Sequence, residues 1–378
     1  MAVRRVLAAA ATAMAVAGCG SGATSTPTAD GPTSVAPSPP TTSASTSPDP
    51  STTATMAGSP QHPVAITATD GPLAWKPVPG STKDLVTVGD RWTLTVPDGG
   101  ATARLSGRGA ITIRAGDHAS VTEALLSDDH ALVVSEDRLA HDPDRATLVD
   151  LGSGRIRMLD GHSSPPTVAG GTWALGPRSL VHATLGQGHR YCLATVDVAT
   201  LAGTTGWCAP PRHGFSRAAI GSGGTTMMVF DDHHPSCRTL VEVAGAHLVP
   251  IPDVADCQGW DSSLEAPGAV WSVVPKARQI DAAHFYAHTA AGWYDLGPGV
   301  SGSLVTCDGS SFFTRDPGSR DDHAELLRWD PDAAALTVAY ASQGTGNAFL
   351  SPPRCGGTHL TVTAYSQAGD EQVTAELG

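Results

Sequence analysis

The chain has 378 residues, a formal net charge of -13, 5% aromatic residues and 42 glycines. That length suits two or three ordinary domains or one long all-β domain. The acidic balance, with no basic run, excludes a nucleic-acid-binding surface and electrostatic adhesion to anionic lipid, both of which need clustered Lys and Arg.

Arg4 and Arg5 precede a run, 6–18, that is apolar apart from Thr12. It is too short to span a bilayer and suits a signal-peptide core. The tetrad Val16-Ala17-Gly18-Cys19 resembles the lipobox of bacterial lipoproteins, with Val where that family usually has Leu. The resemblance implies cleavage before Cys19, a diacylglyceryl group of the palmitate type on its thiol and often a further acyl chain on the new N-terminus. Two or more chains anchor stably, so the expected location is the extracytoplasmic face of the cell membrane. The alternative is an ordinary secretory signal cut near Ala17. From 20 to about 63 the chain is mostly Ser, Thr, Pro, Ala and Gly with no aromatic residue. Such a segment buries too little apolar surface to offset its ordering entropy and reads as a disordered tether. The expected organisation is a signal peptide at 1–18, a lipidated Cys19 with its tether at 19–63, and a folded domain at 64–378.

Within that domain, 192–208 reads as a β-hairpin. Ala194, Val196 and Val198 alternate with Thr195 and Asp197, and a turn at 200–203 leads to a return strand ending at Cys208. Antiparallel pairing then brings Cys192 and Cys208 opposite each other, within reach of a disulfide. The pattern of apolar residue, acidic residue and turn recurs at Asp150, Asp197, Glu242, Asp295 and Asp330, at intervals of 47, 45, 53 and 35 residues. An Asp at a strand end accepts hydrogen bonds from the amides of the following turn, so these residues read as turn formers. A second marker, at Asp128-Asp129-His130, Gly170-Gly171, Gly223-Gly224, Pro267-Gly268, Asp308-Gly309 and Gly356-Gly357, reads as the start of each repeat's first strand. Periods of about 46 residues in all-β sequence mean propeller blades. The stretch 126–159, with SDDHALVV and then LVDLGSGRIRML, resembles a blade of the TolB-like bacterial β-propellers. The expected fold is all-β, a propeller of seven blades, with six as the alternative, closed by N- and C-terminal strands. The resemblance implies architecture only, because such propellers serve many functions.

The seven cysteines divide into the lipidated Cys19 and three pairs. Cys237 and Cys257 straddle a hairpin as Cys192 and Cys208 do, and Cys307 and Cys355 precede strands of neighbouring blades. With no CxxC, a thiol redox site or a cysteine zinc site is not expected.

No nucleophile elbow, P-loop or HExxH occurs. The single G-x-G-x-x-G, at Gly297, Gly299 and Gly302, runs into an apparent strand and reads as turn glycines. Asp-Asp-His occurs three times among fifteen histidines, at 128–130, 231–233 and 321–323. Asp231, Asp232, His233 and His234 form the best local candidate for a divalent metal, with hydrophilic loop tips as the alternative. Asp231 and Asp321 are expected in first-to-second strand loops. Arg212, His213 and Arg354 are expected on the opposite face, with the acidic turns, at a mouth that suits an anionic group or a partner loop; surface solubility is the alternative. No catalytic residue and no cofactor is assigned. The expected function is a lipid-anchored envelope scaffold that binds a protein or glycan partner. The alternatives are a propeller hydrolase or lyase with an Asp and His metal site in the channel, and an inert repeat protein.

Overall fold

The computed structural model describes residues 62–378 apart from 232, 233, 256, 267, 277 and 278, and apart from the side chains of 234–236. The expected signal peptide, Cys19, nearly all of the expected tether, Asp232, His233 and the side chain of His234 therefore lie outside the described residues.

The described chain is a succession of antiparallel meanders, apart from one short 3-10 turn at Gln187–His189. Three sheets, at 85–114, 173–208 and 213–250, have four strands each, and two more, at 259–300 and 305–345, gain a fifth. The remaining strands form one nine-stranded sheet built from 119–159 and 349–376 with Lys76–Pro77 at its far edge. The innermost strand of every meander contributes to the wall of one central channel, a cavity of 520 Å³. This is a β-propeller. Hydrogen bonding gives five separate blades and one double sheet, a correction to the expected seven or six separate blades. The join is a single parallel bridge between Gly356 and Leu126. Glycine permits that approach, since a Cβ at 356 would stand 2.1 Å from the carbonyl oxygen of Val88.

A second correction concerns strand phase. The markers at 128–130, 223–224, 308–309 and 356–357 are turns between the first and second strands of their sheets, as the pairings of Leu126 with Ala131, Gly221 with Gly224, Cys307 with Ser310 and Gly356 with His359 show. Only Gly170-Gly171 precedes a first strand, Trp173–Leu175. The cause is burial. Second strands are covered on both faces, so Ala131 to Val134, Phe312 and Phe313, and Leu360 read as the strongest apolar runs. First strands face the channel and carry Ala218, Ser262, Ser263 and Thr306, which give almost no strand signal.

The acidic turn residues act largely as expected. Asp150 Oδ1 accepts from the amides of Gly152 (3.0 Å) and Ser153 (2.8 Å), and Asp197 Oδ1 from Ala199 (3.1 Å) and Thr200 (2.8 Å). Asp330 Oδ1 accepts from Asp332 and Ala333, both at 3.0 Å. Glu242 instead lies inside the strand His234–Ala244. Asp295 lies inside Gly292–Val300, where it accepts from the Gly297 amide at a register shift rather than at a hairpin. Gly297 and Gly299 belong to that strand as well, so no helix follows them to cradle a phosphate.

Three disulfides join Cys192 to Cys208, Cys237 to Cys257 and Cys307 to Cys355. Cys192 and Cys208 are direct cross-strand partners. Cys307 and Cys355 connect the innermost strands of two neighbouring sheets.

Residues 64–77 lace the outer edges of three sheets. Val64–Ala65 pairs in parallel with Tyr294 and Asp295, Thr69–Asp70 in parallel with Thr337 and Val338, and Lys76–Pro77 antiparallel with Thr374 and Val373. Trp75 fixes the path, donating its Nε1–H to the Ala339 carbonyl (2.7 Å) and packing edge-on against Tyr340. Each pairing satisfies main-chain groups that an open edge would leave for another chain.

One loop between sheets depends on a buried carboxylate. Asp144, 1% exposed, accepts from the Gly170 amide (2.9 Å) and from Trp173 Nε1 (3.2 Å). Burial pushes its pKa up to about 6, against the opposing pull of those two hydrogen bonds. A folded-state pKa above the unfolded value means that the folded state holds the proton more tightly, so stability falls as pH rises from about 4 to about 6. We expect the stability of Asp144→Asn, measured by denaturant unfolding relative to the parent, to rise by about 3 kcal/mol between pH 4 and 7; a pH-independent difference would refute this role. Opening the Cys307–Cys355 bridge, whose ends are 48 residues apart, by a double Cys→Ser change is expected to cost about 4 kcal/mol in the same assay.

Candidate functional site

The corrected strand phase moves the candidate site. First strands run from the face carrying the inter-sheet loops to the face carrying the first-to-second turns. The acidic turns belong to the second of these faces, since Leu151 N bonds to Asp129 O (2.8 Å) and Val198 N to Arg178 O (3.1 Å). His213, at the start of a first strand, is the cross-strand partner of Asp231, at the end of the second, with Nε2 and Oδ2 4.0 Å apart. Asp231 and Asp321 are therefore on second-to-third connections, on the face of the inter-sheet loops. This corrects both their assignment to first-to-second loops and the separation of Asp231 from Arg212 and His213. Asp128 lies at the other end and lines the channel.

The three basic candidates do not form one mouth. Arg212 is exposed, and His213 turns its Nδ1 to the Pro211 carbonyl (3.1 Å). Arg354 instead lies in the channel wall, where Nε donates to Thr87 Oγ1 (2.8 Å) and Nη2 to the Ala124 carbonyl. Burial lowers its pKa, opposed by the nearby Glu123 carboxylate. Asp321 and His323 line a separate acidic cavity between the sheets at 259–300 and 305–345, in which Glu325 is paired with Arg315. Among the described residues no three His, Cys, Asp or Glu side chains are grouped as a metal would require.

At the inter-sheet-loop end of the channel is a cavity of 470 Å³ whose wall includes Glu123, Trp173, Arg217, Asp261 and Gly302. Its charged residues stand on three different first strands, Ala119–Leu126, His213–Gly221 and Gly259–Glu265. Arg217 occupies a register shift between Ser216 and Ala219 and has φ 53°, a left-handed conformation unusual for a residue other than glycine. Its Nη1 donates to Asp261 Oδ1 at 3.0 Å, and its guanidinium lies over the Trp260 ring, 4.8 Å from the centroid. Gly302, at φ +78°, makes room, because a Cβ there would stand 3.0 Å from Nη1.

Asp261 is 6% exposed and fully engaged. Oδ2 accepts from the Gly302 amide (2.7 Å) and from Ser272 Oγ (3.1 Å) while Oδ1 takes Arg217. Burial raises its pKa, opposed by Arg217 and by these hydrogen bonds. Arg238, 7% exposed, also lies over the Trp260 ring, 4.4 Å from the centroid. Its pKa is lowered by burial first and by Arg217 second. Glu123 is half-buried, and burial raises its pKa, opposed by Arg354.

Sequence reasoning missed Arg217, Asp261 and Glu123. The signal was available, because a charged residue midway along a first strand points at the channel. It could be used only with the strand phase right. Trp260 carries both guanidiniums over its ring, whereas Trp173 stacks on His182 and Trp271 packs edge-on against Trp293.

No family model and no curated protein matches the sequence. Among solved structures the chain is similar to one of two prolyl endopeptidases studied for inter-domain dynamics in catalysis, at 14% identity over 78% of this chain and 46% of that one, with a TM-score of 0.53. It is also similar to the β-propeller domain of the Trilobed protease from Pyrococcus furiosus (10% identity, 83% and 95% covered, TM-score 0.49). A third similar structure is TolB from Acinetobacter baumannii (8% identity, 78% of each chain, TM-score 0.39). The chain spans less than half of the endopeptidase, and at these identities the likeness establishes one thing, the β-propeller fold.

Proposed function

We propose that this chain is an extracytoplasmic binding protein, held to the membrane through Cys19 and a tether, that receives a protein or glycan partner at the mouth of its channel. The observation that carries the reading is the 470 Å³ cavity, in which charged side chains from separate strands are fixed in place by buried partners. A solvated surface charge needs no such support, whereas a recognition site gains affinity from groups already ordered before binding. The three disulfides support an oxidising compartment. The Val16-Ala17-Gly18-Cys19 tetrad supports the anchor.

A second reading, a hydrolase or lyase with a metal held in part by Asp231 and His213, is favoured by the approach of the two side chains. Elemental analysis of the purified chain separates the two: a stoichiometric divalent metal lost on changing Asp231 and His213 to Ala would establish the second reading against the first.

The test of the first is capture from crosslinked cells with the parent chain and with Cys19→Ala. We expect Cys19→Ala to leave the membrane fraction while a specific protein or glycan is recovered with both forms; recovery of no specific partner with either would overturn the proposal.

A further inference from the structure

The charges beneath the channel mouth do not balance. Two guanidiniums, Arg217 and Arg238, lie over the Trp260 ring, and Asp261 bonds only the first. Asp261 takes its three hydrogen bonds from Arg217, Ser272 and Gly302 and none from Arg238. Among the described residues Arg238 has no hydrogen-bond or ion-pair partner, and its buried Nε is without an acceptor. A buried cation normally has a partner, and one left without it is costly. The cluster therefore keeps about one positive charge, stabilised in part by the face of the indole.

Arg217 presents that charge to the cavity. One of its nitrogens is held by Asp261, and its other N–H groups have no acceptor among the described residues. Its side chain is 36% exposed, so these donors reach the cavity that it lines. The left-handed backbone at Arg217 is strained for a residue other than glycine. A bulge of this kind re-aims one side chain out of the regular alternation of a strand. Here it is the side chain that joins the buried cluster to the open mouth.

We propose that the channel mouth is an oxyanion-binding site, in which Arg217 donates through the nitrogens that Asp261 leaves free to a carboxylate or phosphate group, with Arg238, over the same indole, supplying additional positive field. This rests on the reading of the chain as a binding protein and names the chemistry of its ligand. Asp261 orients the guanidinium, as a carboxylate does for a fork of parallel donors. Glu123, in the same cavity, offers a polar contact to a group next to the oxyanion and disfavours a second negative charge beside it.

The experiment is calorimetric titration of the whole chain with three probes: N-acetyl-dialanine with its free carboxylate, the same peptide as its carboxamide, and inorganic phosphate. We expect the wild type to bind at least one of the two anions and not the carboxamide, and Arg217→Gln to bind it about tenfold or more weakly. Preference for the peptide identifies a carboxylate ligand, and preference for phosphate a phosphorylated one. Failure of both anions to bind the wild type, or equal binding by Arg217→Gln, would overturn the site. Should Arg217→Gln not fold, indole emission decides: the anion must change the emission of the wild type and not that of Trp260→Phe, and identical responses in the two would overturn the site. Anion binding that depends on Arg217 in a chain that captures no cellular partner keeps the site and rejects the wider reading, so the two failures are distinguishable.

Discussion

The innermost strands of the sheets line one channel and approach their neighbours closely along its wall. Gly356, Gly89 and Leu126 meet at close range there, and a Cβ on Gly356 would collide with the backbone at Val88. Small residues such as Ala124, Ala218, Ser263 and Thr306 occupy the wall for the same reason. The apolar core is consequently displaced outward, between sheets, where Phe285 stacks on Phe313 and Trp329 is fully buried. A charged side chain on a first strand must be accommodated individually, and Glu123, Arg217, Asp261 and Arg354 are informative because they violate the local rule.

Stability alone gives no reason for Arg217 and Asp261. A buried ion pair brings little net stabilisation compared with apolar residues of similar volume, because desolvation cancels most of the attraction. This pair is accompanied by a left-handed residue at 217, a glycine at 302 and a second guanidinium, at 238, with no hydrogen-bond partner among the described residues. Together these hold one donor group in a fixed orientation at the edge of a cavity. Preorganised charge of this kind lowers the reorganisation needed when a ligand arrives.

Much of the architecture was legible in the residues. The Cys192–Cys208 hairpin could be read because alternation and turn together set an antiparallel register, which fixes who faces whom. Asp150, Asp197 and Asp330 could be read as turn formers because the chemistry is local. Strand phase was not legible, because the channel-facing strands lack the apolar pattern that announces a strand, and the doubly buried second strands announce themselves in their place. Nor was the lacing by Val64–Ala65, Thr69–Asp70 and Lys76–Pro77, since two-residue strands carry no periodicity and take their conformation from the edge they join. Arg212 and His213 drew attention beside a Pro-Pro pair, while Arg217, a few residues on, depends on a bulge that no spacing rule reveals. Arg354 was expected beside Arg212 and His213 at a mouth, but it braces the channel wall through Thr87 and Ala124.

The account stands on Arg217 being a held, partly open cationic donor at the channel mouth. The most direct measurement is a crystal of the whole chain soaked in selenate and examined for anomalous scattering. The account predicts a selenium peak within hydrogen-bonding distance of the Arg217 guanidinium, inside the cavity bounded by Glu123 and Gly302. Selenate bound only at surface residues such as Arg212, with the mouth left empty, would contradict it.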